Sequence, residues 1–299
     1  MPLVPFGELM ADAEAHNYAV GYFESWNLES LQAVADAAES TRSPVILGFS
    51  GIYLPHPDRV AREKLDWYAA LGLTACRGLS VPSCFLFNES PNLDWVWQSI
   101  DLGFNLVMFS DEELELEEQT LRVSEVVGRA RRAGVAVEAE MTSPPGLSGD
   151  LLGVPQDLHL TDPAAAGAFV ERTGVDALAV NVGQVHLHGR DKVRLDLERL
   201  GELRRAVAVP LVLHGATSVQ RQDLAGAGAA GIRKINVGSV LKRSYLEAIR
   251  SACAQLGYSY NPYDVVGSGF SGDVLVAGRI AVQAVVEDLM RLFGCAGRA

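Results

Sequence analysis

The hydrophobic residues of this chain fall into short apolar runs separated by longer amphipathic stretches. The runs are rich in Val, Ile, Leu and Phe and mostly do not alternate with polar residues, which is typical of parallel strands buried on both faces. The predicted strands are residues 19–23, 45–49, 83–87, 106–109, 135–140, 177–180, 211–214 and 231–236.

Helical periodicity fills the intervals between these runs, for example at residues 28–40, 113–133, 162–173 and 196–207. Ser110 and Asp111 are placed to cap the second of these helices, and Pro163 after Asp162 marks the start of the third. Eight strands alternating with helices predict an α/β fold of the TIM (β/α)₈ barrel class. A doubly wound open sheet is the alternative, but no GxGxxG motif follows an early strand.

The chain continues past the last predicted strand into further helical sequence, including residues 274–293. We therefore expect a single TIM-barrel domain over residues 1–299, with the barrel at about 15–257 and C-terminal helices at about 258–299. Such helices would pack on the barrel or on a partner subunit, which favours a homodimer or homotetramer.

Composition narrows the function classes. The formal net charge of −12 argues against nucleic acid or an anionic membrane as a partner, because both attract basic surfaces. No apolar run reaches the roughly 20 residues of a membrane span, and the first 13 residues contain no Lys or Arg, unlike a signal peptide. The four cysteines are scattered, which predicts reduced thiols in a cytoplasmic protein; Cys84, in an apolar run, is assigned to the core.

Polar residues stand at the ends of most predicted strands. In TIM barrels the C-terminal ends of the strands carry the catalytic groups. The residues at these ends are Glu24, Asn88, Glu89, Ser110, Asp111, Glu140, His186, His214 and Asn236. Because so many polar groups are hard to explain as core, the pattern predicts an active site on this rim.

His186 and His214 follow consecutive strands and predict a metal site. Two neutral imidazoles supply half of a tetrahedral zinc site. The alternative is that each is an ordinary hydrogen-bonded histidine at the start of a loop. His188 is a rival to His186, since on an extended segment it would face the same side.

The loops after the seventh and eighth strands predict a phosphate site. Small residues there let the backbone approach an anion, and hydroxyls add donors. The residues are Gly215, Thr217, Ser218, Gly238 and Ser239. The alternative is ordinary loop chemistry, in which Gly and Ser are common.

Five segments together resemble the class II, metal-dependent fructose- and tagatose-bisphosphate aldolases: AVGYF at 19–23, SPVI at 43–46, VEAE at 137–140, LVLHG at 211–215 and KINV at 234–237. The likeness runs in register over about residues 3–242. It implies a divalent ion, usually zinc, that is held by three histidines and stabilises an enediolate. It also implies a small phosphorylated sugar-like substrate.

The resemblance assigns roles by register. His186 and His214 match two of the metal-ligating histidines, and Glu140 matches a glutamate that helps to hold the metal region. The loops of Gly215 to Ser218 and Gly238 to Ser239 match those that bind the substrate phosphate, and Asn236 lies close to the reacting carbons.

The main departure follows the third strand. The family reads His-Leu-Asp-His-Gly, in which the Asp transfers protons and the second His binds metal, whereas this chain reads Leu86-Phe87-Asn88-Glu89-Ser90. An amide cannot shuttle a proton at neutral pH, so Asn88 cannot replace the Asp. Ser110, with Asp111 beside it, stands for the family's Asp after strand 4, and Glu24 stands where the family usually has Asn.

Two interpretations of this departure remain open. In one, Glu89 is the third ligand, in a site for zinc, manganese or iron. Proton transfer would then fall to Asp111, Glu24 or His159, the last on a Pro- and Gly-rich loop at residues 142–160 that also carries Asp150 and Asp157. In the other, aldolase chemistry has been lost.

We therefore predict a metal-dependent aldolase or lyase that acts on a phosphorylated ketose or related hydroxy-keto compound through a metal-stabilised enediolate, and not by standard fructose-bisphosphate cleavage. The alternatives are a non-catalytic barrel that binds a phosphorylated metabolite, and a metal-dependent isomerase or decarboxylase.

Overall fold

Eight parallel strands close into a barrel in chain order, so the predicted TIM fold is confirmed. The computed structural model describes residues 2–141, 143–146, 155, 158–186 and 192–299. The strands are β1 (Val20–Ser25), β2 (Val45–Ser50), β3 (Ser83–Ser90), β4 (Leu106–Phe109), β5 (Ala136–Glu140), β6 (Ala177–Ala179), β7 (Leu211–Leu213) and β8 (Ile232–Val237). Their side chains are almost all buried, as expected for strands enclosed by helices.

Helices surround the barrel and cover its N-terminal end. They are α1 (Phe6–His16), α2 (Leu28–Thr41), α3 (Leu65–Gly78), α4 (Leu93–Leu102), α5 (Leu116–Ala133), α6 (Pro163–Thr173), α7 (Leu197–Ala206), α8 (Arg221–Ala230), α9 (Ser239–Ala254), α10 (Pro262–Val265) and α11 (Val274–Phe293), with a 3₁₀ turn at Ala216–Ser218. Of the helices in the described residues, none has the length and hydrophobicity that a bilayer crossing needs.

Helix starts follow local side-chain chemistry. Helix α6 starts at Pro163, as predicted, and Asp162 caps it by accepting a hydrogen bond from the Ala165 N–H at 2.8 Å. The predicted cap on α5 is wrong, because the Asp111 carboxylate accepts from the Glu113 N–H at 3.1 Å in a preceding turn. That local bond holds the backbone out of the helix, so α5 begins only at Leu116.

Strand β3 contains the irregularity that shapes the rim. Its pairing with β4 shifts register between Phe87 and Ser90. Within this bulge Glu89 has a φ of 52°, in the left-handed region that residues other than Gly rarely adopt. A side chain on Gly51 of the neighbouring loop would collide with Ser90, so the bulge also needs a glycine beside it. The bulge reorients the end of β3.

Helices α1 and α11, which precede and follow the barrel strands in the chain, both pack against the barrel. The buried face of α1 carries Phe6, Leu9, Met10 and Ala13, a helical spacing that the strand-based prediction passed over. Helix α11, predicted at residues 274–293, packs on α2, α9 and β1. Cys84 is buried in the core, as predicted.

Candidate active site

A cavity of about 390 Å³ opens at the C-terminal ends of the strands. Ten residues that the sequence placed at this site line it together: Glu24, Asn88, Glu89, His186, His214, Gly215, Thr217, Asn236, Gly238 and Ser239. Of the residues predicted at the strand ends, Ser110, Asp111 and Glu140 do not line this cavity.

His214, directly after β7, is the centre of a buried polar cluster. Its Nδ1 lies 3.0 Å from Glu89 Oε1 and 3.8 Å from Glu140 Oε2. Its Nε2 lies 2.9 Å from Oε1 of Glu138. All four side chains are buried, so these charges interact with little screening by water.

The surrounding carboxylates control the charge of His214. Burial disfavours the imidazolium, but Glu89, Glu138 and Glu140 outweigh it and raise the pKa of His214 to about 10. The pKa of Glu89 is lowered, since the attraction of His214 exceeds the penalty of burial. Burial and the neighbouring Glu89 charge raise the pKa of Glu140.

The two carboxylate oxygens of Glu140 have different surroundings: Oε1 accepts hydrogen bonds from serines, and Oε2 faces His214. Its Oε1 accepts hydrogen bonds from Ser110 Oγ at 2.6 Å and from Ser143 Oγ at 2.5 Å. Its Oε2 is buried and has no hydrogen-bond donor among the described residues. His214 Nδ1 lies 3.8 Å from this oxygen, beyond hydrogen-bond distance, so a cation at ligand distance would stabilise it further. Potential ligand atoms of Glu89, Glu140 and His214 lie within 4.8 Å of one another, so the donor set fits a divalent ion.

Glu138 and Lys234 form an ion pair on the Nε2 side of His214. Neither residue is among those predicted from the sequence. Lys234 Nζ lies 2.8 Å from Glu138 Oε2, and both side chains are fully buried. The sequence spacing could have identified them, because Glu138 precedes Glu140 by two residues and Lys234 precedes Asn236 by two. Strand alternation puts each pair on the same face.

Asn88 and Asn236 join the ends of β3 and β8. The Asn88 side-chain amide donates to the Glu89 carboxylate. Asn236 Nδ2 donates to Asn88 Oδ1 at 3.3 Å, and Lys234 Nζ donates to Asn236 Oδ1. Asn88 thus orients Glu89 through its N–H group.

The loops after β7 and β8 place backbone and hydroxyl groups beside two cations. Thr217 and Ser239 line the cavity together with Arg243. Lys192 Nζ donates to the Thr217 carbonyl, and burial together with the Arg243 charge lowers the Lys192 pKa. Ser218 does not line the cavity; it is buried and donates to the Gly215 carbonyl at 2.9 Å.

The other predicted candidates lie in different surroundings. His186 is partly buried in the cavity wall, where its charge helps to lower the Glu89 pKa, but it is not part of the 4.8 Å cluster. Asp111 does not line the cavity, and His159 is exposed. Positions 150, 157 and 188 lie outside the described residues.

Comparison with known proteins agrees with this geometry. Residues 4–298 match the family described as class-II fructose-bisphosphate aldolase. The chain is 32% identical to a fructose-bisphosphate aldolase of Geobacillus stearothermophilus, covering 100% of this chain and 99% of that one. It is 31% identical to one of Giardia intestinalis, covering 100% and 95%.

A solved structure extends the likeness to three dimensions. The YdjI aldolase of Escherichia coli K12 superposes with a TM-score of 0.82 at 28% identity, covering 99% of both chains. The match in sequence and in structure spans nearly the whole chain, including every strand of the barrel. This chain is therefore a member of the class-II fructose-bisphosphate aldolase family.

Proposed function

We propose that this protein is a metal-dependent aldolase that makes or breaks a carbon–carbon bond in a phosphorylated ketose or a related hydroxy-keto compound. The observation that carries the proposal is the buried set of Glu89, His214 and Glu140, whose ligand atoms converge within 4.8 Å. Family membership supports the reaction class, and the replacement of the family's Asp by Asn88 argues against the standard cleavage of fructose bisphosphate.

His214, Glu89 and Glu140 would hold the proposed ion, and His186 would supply a further ligand from the cavity wall. Zinc is the metal we expect first, and two carboxylates also suit manganese or iron. A divalent ion bound there would polarise the substrate carbonyl and stabilise the enediolate charge that develops when the bond breaks.

The protein's own residues supply orientation and proton transfer. Asn88 and Asn236 offer amide groups at the cavity floor for hydroxyl or carbonyl oxygens of the substrate. Of the three groups considered for proton transfer, Glu24 lies in the cavity wall, and burial raises its pKa despite the opposing effect of Lys242. A carboxylate in the cavity wall, 2.6 Å from the Lys242 ammonium, is placed to accept a proton from the substrate and to return it.

Thr217, Ser239 and the Gly215 and Gly238 backbones form the proposed phosphate end of the site. Burial and, to a smaller extent, the Arg243 charge lower the pKa of Lys192, so both cationic groups lie near these loops. A phosphate between the two loops would accept hydrogen bonds from the backbone N–H groups.

The proposal is tested by loading the protein with Zn²⁺ or Mn²⁺ and measuring retro-aldol cleavage across a panel of ketose phosphates. Glu89→Gln should weaken metal binding more than about 100-fold, since loss of a ligand exceeds the ~10–100-fold effect of losing an outer-shell partner. It should also abolish cleavage, whereas Glu125→Gln, at an exposed position on α5, should change neither.

Two other results would point elsewhere. Metal and sugar phosphate binding without turnover would identify the non-catalytic phosphometabolite-binding barrel. Isomerisation of a ketose phosphate without retro-aldol cleavage would identify an isomerase, and loss of CO₂ from a carboxylated sugar phosphate added to the panel would identify a decarboxylase. A protein that cannot be loaded with any divalent ion would refute the mechanism.

A further inference from the structure

The active-site cavity has a second lobe that the family comparison does not explain. A space of about 150 Å³ lies beside the main cavity, between the ends of β1 and β2 and the segment that leads into α3. Glu24, Ser50, Tyr53 and Lys242 line both spaces. These four residues therefore form the wall that the two spaces share, which we call the waist, and a substrate that occupied both spaces would lie against them.

The charges in this second lobe are paired. Lys242 Nζ lies 2.6 Å from Glu24 Oε1, and Arg59 forms an ion pair with Glu63. Among the described residues that line the lobe, each cationic side chain thus meets a carboxylate. A phosphate group entering it would bring about two negative charges into a space without net positive charge, and the Glu24 carboxylate would repel it.

The position of Glu24 is fixed by its surroundings. A side chain at position 238 would collide with the Glu24 carboxylate, so Gly238 provides the space that it occupies. On the other side, the Lys242 ammonium lies 5.2 Å from the Tyr53 ring centroid and 5.8 Å from that of Trp26. Cation–π contact and the ion pair together hold the waist in this arrangement.

Aromatic faces next to carboxylates suit a neutral polyhydroxylated chain. Trp26 and Tyr53 line the lobe with aromatic surface that C–H groups can pack against, and the Glu24 and Glu63 carboxylates, beside their ion pairs, can accept hydrogen bonds from hydroxyls. The other end of the cavity differs, because the loops after β7 and β8 line it with the hydroxyls of Thr217 and Ser239 and with Gly215 and Gly238, where an anion can approach the backbone N–H groups. One end of the site is thus suited to an anion and the other to a neutral polar group.

We propose that the second lobe binds the uncharged, hydroxylated end of the substrate, so that the site selects ketose monophosphates over ketose bisphosphates. This inference rests on the proposed function, since it assigns the single phosphate to the loops after β7 and β8. Glu24 is the residue that determines the selectivity, because its charge both neutralises Lys242 and repels a second phosphate.

Binding measurements separate this inference from the catalytic proposal. Isothermal titration calorimetry of the metal-loaded protein would compare fructose 1-phosphate with fructose 1,6-bisphosphate, and tagatose 1-phosphate with tagatose 1,6-bisphosphate. The wild type should bind a monophosphate at least about 10-fold more tightly than the matching bisphosphate. In Glu24→Gln, which leaves the Lys242 charge uncompensated, that preference should fall by about 10-fold or reverse.

Glu247→Gln is the matched control, because this exposed glutamate on α9 lines neither lobe and should leave the preference unchanged. Equal or tighter binding of the bisphosphates by the wild type, an unchanged preference in Glu24→Gln, or no binding of any of the four probes would overturn the inference. Selective binding without cleavage would support the inference and refute the proposed catalytic function instead.

Discussion

At the scale of single residues, Glu89 stands out by its backbone. The left-handed backbone conformation costs a residue other than Gly roughly 1–2 kcal/mol of conformational energy. Asn17 and Arg42 also adopt it, but they end α1 and α2, where such a conformation is common. Glu89 adopts it inside β3, where the bulge aims its carboxylate at His214. Strain of this kind is typical of functional positions.

The hydrogen bond from Ser110 to Glu140 predicts a measurable effect on metal binding. Ser110→Ala removes a donor at 2.6 Å from the carboxylate that faces the cluster. Affinity for Mn²⁺ or Zn²⁺ should fall by about 10-fold, because outer-shell partners hold ligands in place. A competition titration with a chelating dye measures this.

Ser99→Ala is the control for that titration. The Ser99 hydroxyl is also buried and donates to the Val96 carbonyl at 2.8 Å, but it belongs to α4 and does not line the cavity. Equal affinities in wild type and Ser110→Ala would show that the Ser110 hydrogen bond does not hold Glu140 in place for the metal.

Strand ends predicted much of the candidate site from the sequence alone. Glu24, His214 and Asn236 were placed on the rim because apolar runs stop at polar residues there. The contact between His214 and Glu138 could not be predicted, because the two residues are 76 positions apart and meet only across the closed barrel. The stagger of the strands decides which inward-facing residues contact each other. The hydrophobic periodicity of the sequence does not encode that stagger.

At the scale of elements, the apolar runs predicted the position of every strand in the barrel but not all of the residues at which the strands begin and end. Strand β3 extends to Ser90 although its apolar run ends at Phe87, because the bulge brings polar residues into the sheet. Strand β7 ends at Leu213, one residue before the predicted end, where Gly215 takes a positive φ of 65° and turns the chain. The observed strand ends thus differ from the predicted ones where the chain enters the candidate active site.

Helix α11 begins at a buried aspartate whose role predicts a pH-dependent effect on stability. Asp273 accepts hydrogen bonds from the N–H groups of Leu275 at 2.9 Å and Gly269 at 3.0 Å. Burial opposes ionisation, but these bonds outweigh it and lower the pKa of Asp273. Asp273→Ala should therefore reduce the free energy of unfolding by about 1 kcal/mol at pH 7.

The sign of the pH dependence follows from the lowered pKa. Stability from Asp273 is fully present above the unfolded-state pKa of about 3.9 and is lost as the pH falls through the lower folded-state value. The difference in Tm between wild type and Asp273→Ala should therefore narrow below about pH 4. Asp58→Ala, at an exposed loop position, should differ little from wild type at either pH. A difference that grows at acid pH would contradict this role.

At the scale of the whole molecule, the barrel encloses a group of carboxylates that it only partly neutralises. The chain has a formal net charge of −12, and Glu89, Glu138 and Glu140 are buried around His214 and Lys234. Binding a divalent cation would relieve this repulsion, so metal binding and folding should be linked.

Thermal unfolding measures that linkage. Zn²⁺ or Mn²⁺ at about 100 times its Kd should stabilise the folded protein by about 2.7 kcal/mol and raise its Tm by roughly 5 °C. A chelator should reverse the effect. Glu89→Gln should show little or no increase at the same concentration, whereas an increase equal to that of the wild type would place the ion elsewhere.

The central claim is that Glu89 has taken over a position in a divalent metal site built on His214. Anomalous diffraction at the absorption edge of Zn or Mn, from crystals loaded with that metal, tests it most directly. We expect one strong peak at about 2.0–2.2 Å from His214 Nδ1 and from a Glu89 oxygen. A peak that lies away from Glu89, or no peak in fully loaded crystals, would contradict it.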